Sequence, residues 1–327
     1  MMFGQEIGID LGTATVLIYV KGKGIVLREP SVVAIEKSTK KVVYVGNLAE
    51  KMIGRTPSNI ETIRPLKDGV ISNYEATAKM LKFLLRKVCG KTIFKPRVMV
   101  CIPSTISEVE DRAVREAAYE AGAKFVELIE EPRAAAMGAG IDIKKPMGSM
   151  IVDVGGGTTD VAVISFGSIV KAKSIKVAGD KFDEAIIKYI RKTYNILIGE
   201  PTAEEVKIKI GCLVPFDTAI EMDIKGRNLD TGLPMVVVVN SDDIYHALKE
   251  PISEIIDAIH IMLSDTPPEL VGDISENGIV LTGGGALIYG FAELISDKIG
   301  IPVVVAKDPI ECVVKGTGIA MQNREIS

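Results

Sequence analysis

Apolar residues follow two rhythms along this chain. Short Val/Ile/Leu runs bounded by glycine and polar turns predict buried strands, and longer stretches with apolar residues three and four apart predict helices. Strands are expected within Ile7–Val20, across Gly24–Ile35 (Glu29–Ile35 the clearest), and at Lys40–Val45, Val98–Ile102 and Val126–Ile129. Further strands are expected at Ile151–Val154, Val161–Ile164, Met235–Val239, Gly278–Thr282 and Pro302–Val305. Met80, Leu81, Leu84, Leu85 and Val88 place a helix over Glu75–Val88. Ser107 and Glu110 form a capping box that opens an alanine-rich helix ending at Gly122. Pro132 suits the first turn of another helix. Asp180–Asp183 opens a helix carrying Phe182, Ile186, Ile190 and Tyr194, and Thr202–Glu205 reads as a second capping box. Residues 241–264 read as helix broken at Pro251, and Gly283–Gly285 as the opening of a helix from Ala286. The turn-rich block 46–74 reads as a small insertion on the first half.

One pattern occurs twice. Ile151–Ile164 is an apolar strand carrying Asp153, a Gly155-Gly156-Gly157-Thr158-Thr159 turn, and a returning strand. Ile7–Val20 repeats this with Asp10 and the turn Gly12-Thr13-Ala14-Thr15, about one domain length earlier. A carboxylate inside a Val/Ile run is costly unless something such as a cation compensates it. Glycines allow positive φ and close approach of backbone N–H groups to an anion. Each turn alone is compatible with a glycine-rich hairpin and a solvated Asp. The repeat, with a third glycine turn at Leu281–Ala286, points to two similar halves that face each other across a metal–nucleotide cleft.

Composition narrows the field. At 327 residues, 47% hydrophobic and 25% charged, the chain is globular and long enough for two cores. A net charge of −4 argues against a nucleic-acid footprint. No apolar run approaches the roughly 18 residues of a membrane span, and the N-terminus lacks the regions of a signal peptide. The four cysteines are widely spaced and read as reduced residues of a cytoplasmic protein, and the two histidines leave a zinc site or His triad without ligands.

Several residues keep two readings. Glu131 can point into the cleft from its strand end, or complement a helix dipole beside Glu130. Glu204 and Lys207 share a helix face, and either clamp ribose hydroxyls or pair in solvent. Residues 82–97 carry Lys82, Arg86, Lys87, Lys91, Lys95 and Arg97 without an acid, with Ile93 and Phe94 at the loop tip. An apolar tip in a basic collar suits an anionic membrane surface, or it folds back onto its own domain. The Ala/Gly faces of 130–140 and 313–321 permit close helix packing, as a pivot between halves needs.

Taken in order, Ile7–Val20, Glu130–Gly140, Asp153–Val163, Leu281–Gly285 and Val314–Met321 resemble the nucleotide-site motifs of the actin, sugar-kinase and heat-shock-chaperone ATPases. Gly54–Ile60, Arg64–Val70, Gly179–Asp183, Arg227–Pro234 and Thr266–Leu270 narrow the resemblance to the bacterial actin MreB family, on its Mbl-like branch. The resemblance implies an α/β actin-like ATPase fold: two similar halves, each a mixed sheet flanked by helices, with the nucleotide cleft between. Residues 1–32, 75–144 and 315–327 would form subdomain IA, 33–74 IB, 145–180 and 245–314 IIA, and 181–244 IIB. It implies ATP or GTP with Mg²⁺, the metal held through water by Asp10 and Asp153. Gly12, Thr13, Ala14 and Thr15, with Gly155, Gly156, Gly157 and Thr158, would hold the β- and γ-phosphates. Glu131 would orient the attacking water with Thr158, Glu204 and Lys207 would contact ribose, and Gly283, Gly284 and Gly285 would approach the adenosine side. Thr15 stands where the family usually has Asn, and its shorter reach bears on the hydrolysis rate.

The resemblance further implies self-assembly into filaments of paired protofilaments, cell-wall elongation partners, a cytoplasmic location at the inner membrane face, and membrane contact through Ile93 and Phe94. The N-terminal segment is too short for a membrane helix. Two competing functions share the fold. A small-molecule kinase needs a base beside an acceptor pocket, for which Glu131 is the only candidate. A chaperone-type ATPase needs a substrate domain, and the chain ends six residues past Met321.

Overall fold

A computed structural model describes residues 4–90 and 94–323. The chain begins as an antiparallel meander of β1 (Glu6–Leu11), β2 (Thr15–Val20) and β3 (Gly24–Pro30). It then makes an excursion through β4 (Val33–Glu36), β5 (Val42–Val45), the short helix α1 (Asn47–Glu50) and β6 (Ile60–Ile63). These strands form a small antiparallel sheet in the order β5-β4-β6, followed by the two-residue strands β7 (Leu66–Lys67) and β8 (Val70–Ile71). Then come α2 (Tyr74–Cys89), β9 (Arg97–Ile102), α3 (Glu108–Ala121), β10 (Phe125–Glu130) and α4 (Glu131–Gly138). β9 runs parallel to β1, and β10 parallel to β9, closing a sheet of order β10-β9-β1-β2-β3.

The second half repeats the plan. β11 (Ser149–Val154), β12 (Thr159–Ser165) and β13 (Ser168–Ile175) form the meander. The excursion, α5 (Gly179–Tyr194), β14 (Ile196–Leu197), α6 (Glu200–Ile210), β15 (Glu221–Asn228) and β16 (Pro234–Asn240), builds a second small sheet, β14-β15-β16. After α7 (Ser241–Ser264) and α8 (Pro268–Asn277), β17 (Ile279–Thr282) joins parallel to β11. α9 (Phe291–Ile299), β18 (Val303–Val305) and α10 (Cys312–Asn323) complete a sheet of order β13-β12-β11-β17-β18. Reversed, that order matches the first sheet strand for strand. The duplication read from the two Asp–Gly turns therefore extends through all five strands of each main sheet, while the excursions differ.

Each half has its own core. Ile7, Ile9, Val16 and Ile18 pack under α2 and α3, and Val152, Val161 and Val163 pack with Phe182, Ile186, Ile255 and Ile259. A third cluster draws on both halves: Met99, Cys101, Ala134, Ala135, Ile151, Ala162, Val313 and Met321. At its centre α4 and α10 lie antiparallel in close contact. A Cβ on Gly138 would strike the Cys312 carbonyl, and one on Gly316 would strike the Ala134 carbonyl. The two small-residue faces expected to act as pivots are thus one joint.

Three local expectations are corrected. α6 begins at Glu200 with Gly199 as its N-cap residue, so Thr202 and Glu205 form no capping box. Pro201 fits the first turn without a donor, and Glu205 instead pairs with Lys209 one turn on. α7 runs unbroken through Pro251, which is buried. The helix loses the bond to the Ala247 carbonyl there, and the surrounding core holds it in line. After the third glycine turn, Gly284–Leu287 is a 3-10 turn, and α9 starts only at Phe291. The Ser107–Glu110 capping box and the Gly122 left-handed C-cap form as expected. All four cysteines are free thiols. Among the described residues no helix is long and apolar enough to cross a membrane.

Candidate nucleotide-binding site

In open α/β sheets, ligands gather at the carboxyl ends of the parallel strands. Here those ends converge from both halves. Asp10 is the penultimate residue of β1, Asp153 holds the same place in β11, Glu131 follows β10, and Thr282 ends β17 before Gly283. Between the halves is a cavity of about 440 Å³. It is lined by Asp10, Gly12–Thr15, Glu131, Asp153, Gly155–Thr158, Glu204, Lys207 and Gly283–Gly285. Every cleft residue singled out in the sequence therefore faces one space.

The two glycine turns touch. A Cβ on Gly156 would lie 2.6 Å from the Ala14 Cβ, and one on Gly157 would lie 2.7 Å from the Thr13 Oγ1. Both turns are braced from behind. Ser31 donates to the Gly12 carbonyl at 2.6 Å, Thr13 accepts from the Gly69 N–H at 3.0 Å, and Gly155 donates to the Thr158 carbonyl at 2.9 Å. Gly283 has φ +83°, and a Cβ there would sit 2.7 Å from an Asp153 carboxylate oxygen. Only glycine lets that backbone pass so close to the acid. Thr282 donates its hydroxyl to the same carboxylate at 3.0 Å, fixing its orientation.

Three carboxylates, Asp10, Glu131 and Asp153, line the floor, and a fourth, Asp160, is buried behind it. Burial, then the Asp153 charge, pushes Asp10 up to about 8. Burial, then the Asp160 charge, pushes Asp153 up to about 7. Glu131 is held well above the ordinary range by burial and then by Asp160, Asp10 and Asp153. Burial also raises Asp160, against hydrogen bonds from Ser104, Ser174 and Thr158. Acids that raise one another in one cleft fit a bound cation, which would reverse each of these shifts. The glycine turns beside them leave room for an anion where side chains would otherwise stand. The residues present thus fit a metal–phosphate group.

The far wall differs from expectation in one detail. Glu204 and Lys207 both line the cavity, but the Lys207 amine is already engaged. It donates to Asp183 at 2.8 Å and to the Gly179 carbonyl at 3.1 Å, and the other Asp183 oxygen is buried without a partner. Asp183 belongs to the Gly179–Asp183 motif, and a buried acid at a helix start was the available signal for it. At the mouth, Arg64 of the first half approaches Glu200 of the second at 3.9 Å, and Lys176 approaches Asp68 at 4.0 Å. Each pair has one partner open to solvent and a long separation, so both contribute little. At the basic loop, Phe94 is 44% exposed, and Ile93 lies outside the described residues.

Two lobes of matching sheet order, closed around facing glycine turns and joined by a close antiparallel helix pair, define an actin-like nucleotide-binding fold. Solved structures show the same arrangement. MreB 5 of Spiroplasma citri bound to AMPPNP superposes with a TM-score of 0.95 at 42% identity, covering 100% of this chain and 98% of that one. The same protein bound to ADP gives 0.94. A MamK double helical filament chain gives 0.83 at 22% identity, covering 97% and 98%, a likeness of fold alone. In sequence, residues 4–327 match the family described as MreB/Mbl protein. The cell shape-determining protein Mbl of Bacillus cereus is 53% identical over 323 residues, covering 98% of this chain and 97% of its own. MreB of Escherichia coli K12, also described as cell shape-determining, is 51% identical over 327 residues, covering 98% and 94%. The chain belongs to the MreB/Mbl family.

Proposed function

We propose that this chain is a nucleotide-dependent actin-like filament protein that hydrolyses ATP with Mg²⁺ and takes part in setting cell shape. The observation that carries the reading is the pair Asp10 and Asp153, each raised by burial, at matching strand ends beside two abutting glycine turns. ATP is assigned because the Spiroplasma relative is described with AMPPNP and with ADP. The cell-shape role follows the relatives' descriptions.

Asp10 and Asp153 would hold the metal, and the N–H groups of Gly12–Thr15 and Gly155–Thr158 would hold the phosphates. Bound Mg²⁺ supplies charge neutralisation to the phosphate oxygens. Phosphoryl transfer depends mainly on positioning and charge stabilisation, which two rigid turns provide. Glu131 orients the attacking water with the Thr158 hydroxyl, and Glu204 and the Lys207–Asp183 pair face the ribose. Gly283–Gly285 flank the adenosine, where Leu287, Ile288, Ile310 and Val313 give the cavity an apolar end.

The four-subdomain division goes with this reading, with β5-β4-β6 and β14-β15-β16 as the two small caps. Head-to-tail stacking of closed molecules is a heterologous contact that does not close on itself, so it extends into filaments. We place the protein at the inner face of the cell membrane, beside the cell-wall elongation machinery. Phe94 and Ile93 enter the lipid, and Lys82, Arg86 and Lys95 meet anionic headgroups, while Lys87 is held by Glu29. The test has two parts. Purified protein with ATP–Mg²⁺ should form filaments by electron microscopy. Glu131→Ala should bind ATP normally but release phosphate about a hundredfold more slowly. Monomers that phosphorylate a small acceptor, or an unchanged Glu131→Ala rate, would overturn the reading.

A further inference from the structure

Behind Thr158 stands a buried carboxylate to which the reading above gives no task. Asp160 is 1% exposed, on β12, opposite Asp153 in the β11–β12 ladder. Its two oxygens are held from different halves of the molecule. Ser104, just past β9 in the first half, donates its hydroxyl to Oδ1 at 3.1 Å and its backbone N–H at 3.4 Å. Ser174, on β13 in the second half, donates its hydroxyl to Oδ2 at 3.2 Å. The Thr158 hydroxyl lies near enough to favour the charged carboxylate as well. Burial raises Glu131 first, and the Asp160 charge comes next, ahead of Asp10 and Asp153.

Packing alone does not account for this residue. Its neighbours along the strand, Val161, Ala162 and Val163, are apolar and fully buried. No Lys or Arg forms an ion pair with Asp160 among the described residues. A buried carboxylate held only by hydroxyl and N–H donors is unfavourable compared with a valine, unless its charge serves something nearby. What it serves nearby is Thr158, two residues back along the chain, and Glu131, which feels its charge. The Ser104 limb also crosses between the two halves, which pack closely at the α4–α10 joint.

We infer that Asp160 is a positioning residue that couples the approach of the two halves to the alignment of Thr158 and Glu131, through its hydrogen bond from Ser104. With the halves together, Ser104 and Ser174 pin both carboxylate oxygens. With the halves apart, the Ser104 limb is lost and the acid is free to turn on the Ser174 limb. Hydrolysis then proceeds only in the closed molecule, whatever the affinity for nucleotide. The inference rests on the roles given to Glu131 and Thr158.

The test uses the full chain with Asp160→Asn, Ser104→Ala, Ser104→Thr and Ser174→Ala, and Glu131→Ala as control. ATP–Mg²⁺ affinity is measured separately from phosphate release at saturating nucleotide. Asp160→Asn and Ser104→Ala should lower kcat about tenfold while Kd stays within about twofold. Ser104→Thr, which keeps the hydroxyl, should restore the rate, and Ser174→Ala should lose no more than about threefold. Ser104 is only half-buried, so its variants decide the matter if Asp160→Asn does not fold. An unchanged kcat in Ser104→Ala, or equal losses in Ser104→Ala and Ser174→Ala, would overturn the inference. A normal rate in Glu131→Ala would instead fall on the underlying assignment.

Discussion

The two glycine turns occupy equivalent places in the two halves, yet they are built differently. The first, Gly12-Thr13-Ala14-Thr15, has one glycine, whose Cβ would strike the Thr15 carbonyl of its own turn at 2.7 Å and reach no residue of the second turn. The second has three, and two of them face side chains of the first turn. Ala14 and Thr13 are the projections, and Gly156 and Gly157 the spaces that receive them. The α4–α10 pair shows the opposite case, since Gly138 and Gly316 play the same part towards each other's helix. Duplication made the halves alike, and the cleft required them to differ where they meet.

The symmetric joint should be the most sensitive place. Gly316→Val drives a side chain into the Ala134 carbonyl and should destabilise by about 3 kcal/mol, and Gly138→Val by about as much. Thermal unfolding reads both. A mild effect in one of them would show that the helix pair is not used symmetrically. The turns should respond asymmetrically. Gly156→Val should weaken ATP–Mg²⁺ binding about a hundredfold by wedging against Ala14, whereas Ala14→Gly should change it less than about threefold. Equal effects by calorimetric titration would remove the projection-and-space account.

Acidity offers a smaller test. Burial pushes Asp10 up to about 8 and Asp153 up to about 7, well above the ordinary carboxylate range. The folded state therefore holds protons that the unfolded chain has released. Stability from these groups is complete below about pH 4 and is lost as pH rises through 7 to 8. Without nucleotide and Mg²⁺, the melting temperature should fall across that window, and Mg²⁺–ATP should flatten the fall. A melting temperature that climbs towards pH 8 without ligand would contradict this sign. The smallest effect is expected at Thr15, the first residue of β2, where Thr15→Asn should raise phosphate release about threefold. An unchanged rate would mean this position does not set the rate.

The sequence reading went furthest where local pattern and tertiary role coincide. Val/Ile runs around Asp10 and Asp153 became buried strands because alternative placements would expose them, and the Ser107–Glu110 box had no competitor for its cap. It failed where the chain offered two local solutions. Gly199 and Pro201 displaced Thr202 as the start of α6, and burial of Pro251 outweighed its helix-breaking tendency. Lys207 was legible as a cleft residue, but its bond to Asp183 comes from a different helix, and no spacing within α6 encodes it. Asp160 stood in plain sight after the glycine turn. Its importance emerges only when Ser104, far away in the other half, is brought beside it.

The central claim is that one metal-bound nucleotide is gripped from both halves by Asp10 and Asp153. A double-mutant cycle on the Mg²⁺-dependent part of ATP affinity tests it most directly. The account expects Asp10→Ala and Asp153→Ala each to remove that part, with the double variant scarcely worse than either. Losses that simply add, or a Mg²⁺ dependence that survives in the double variant, would contradict it.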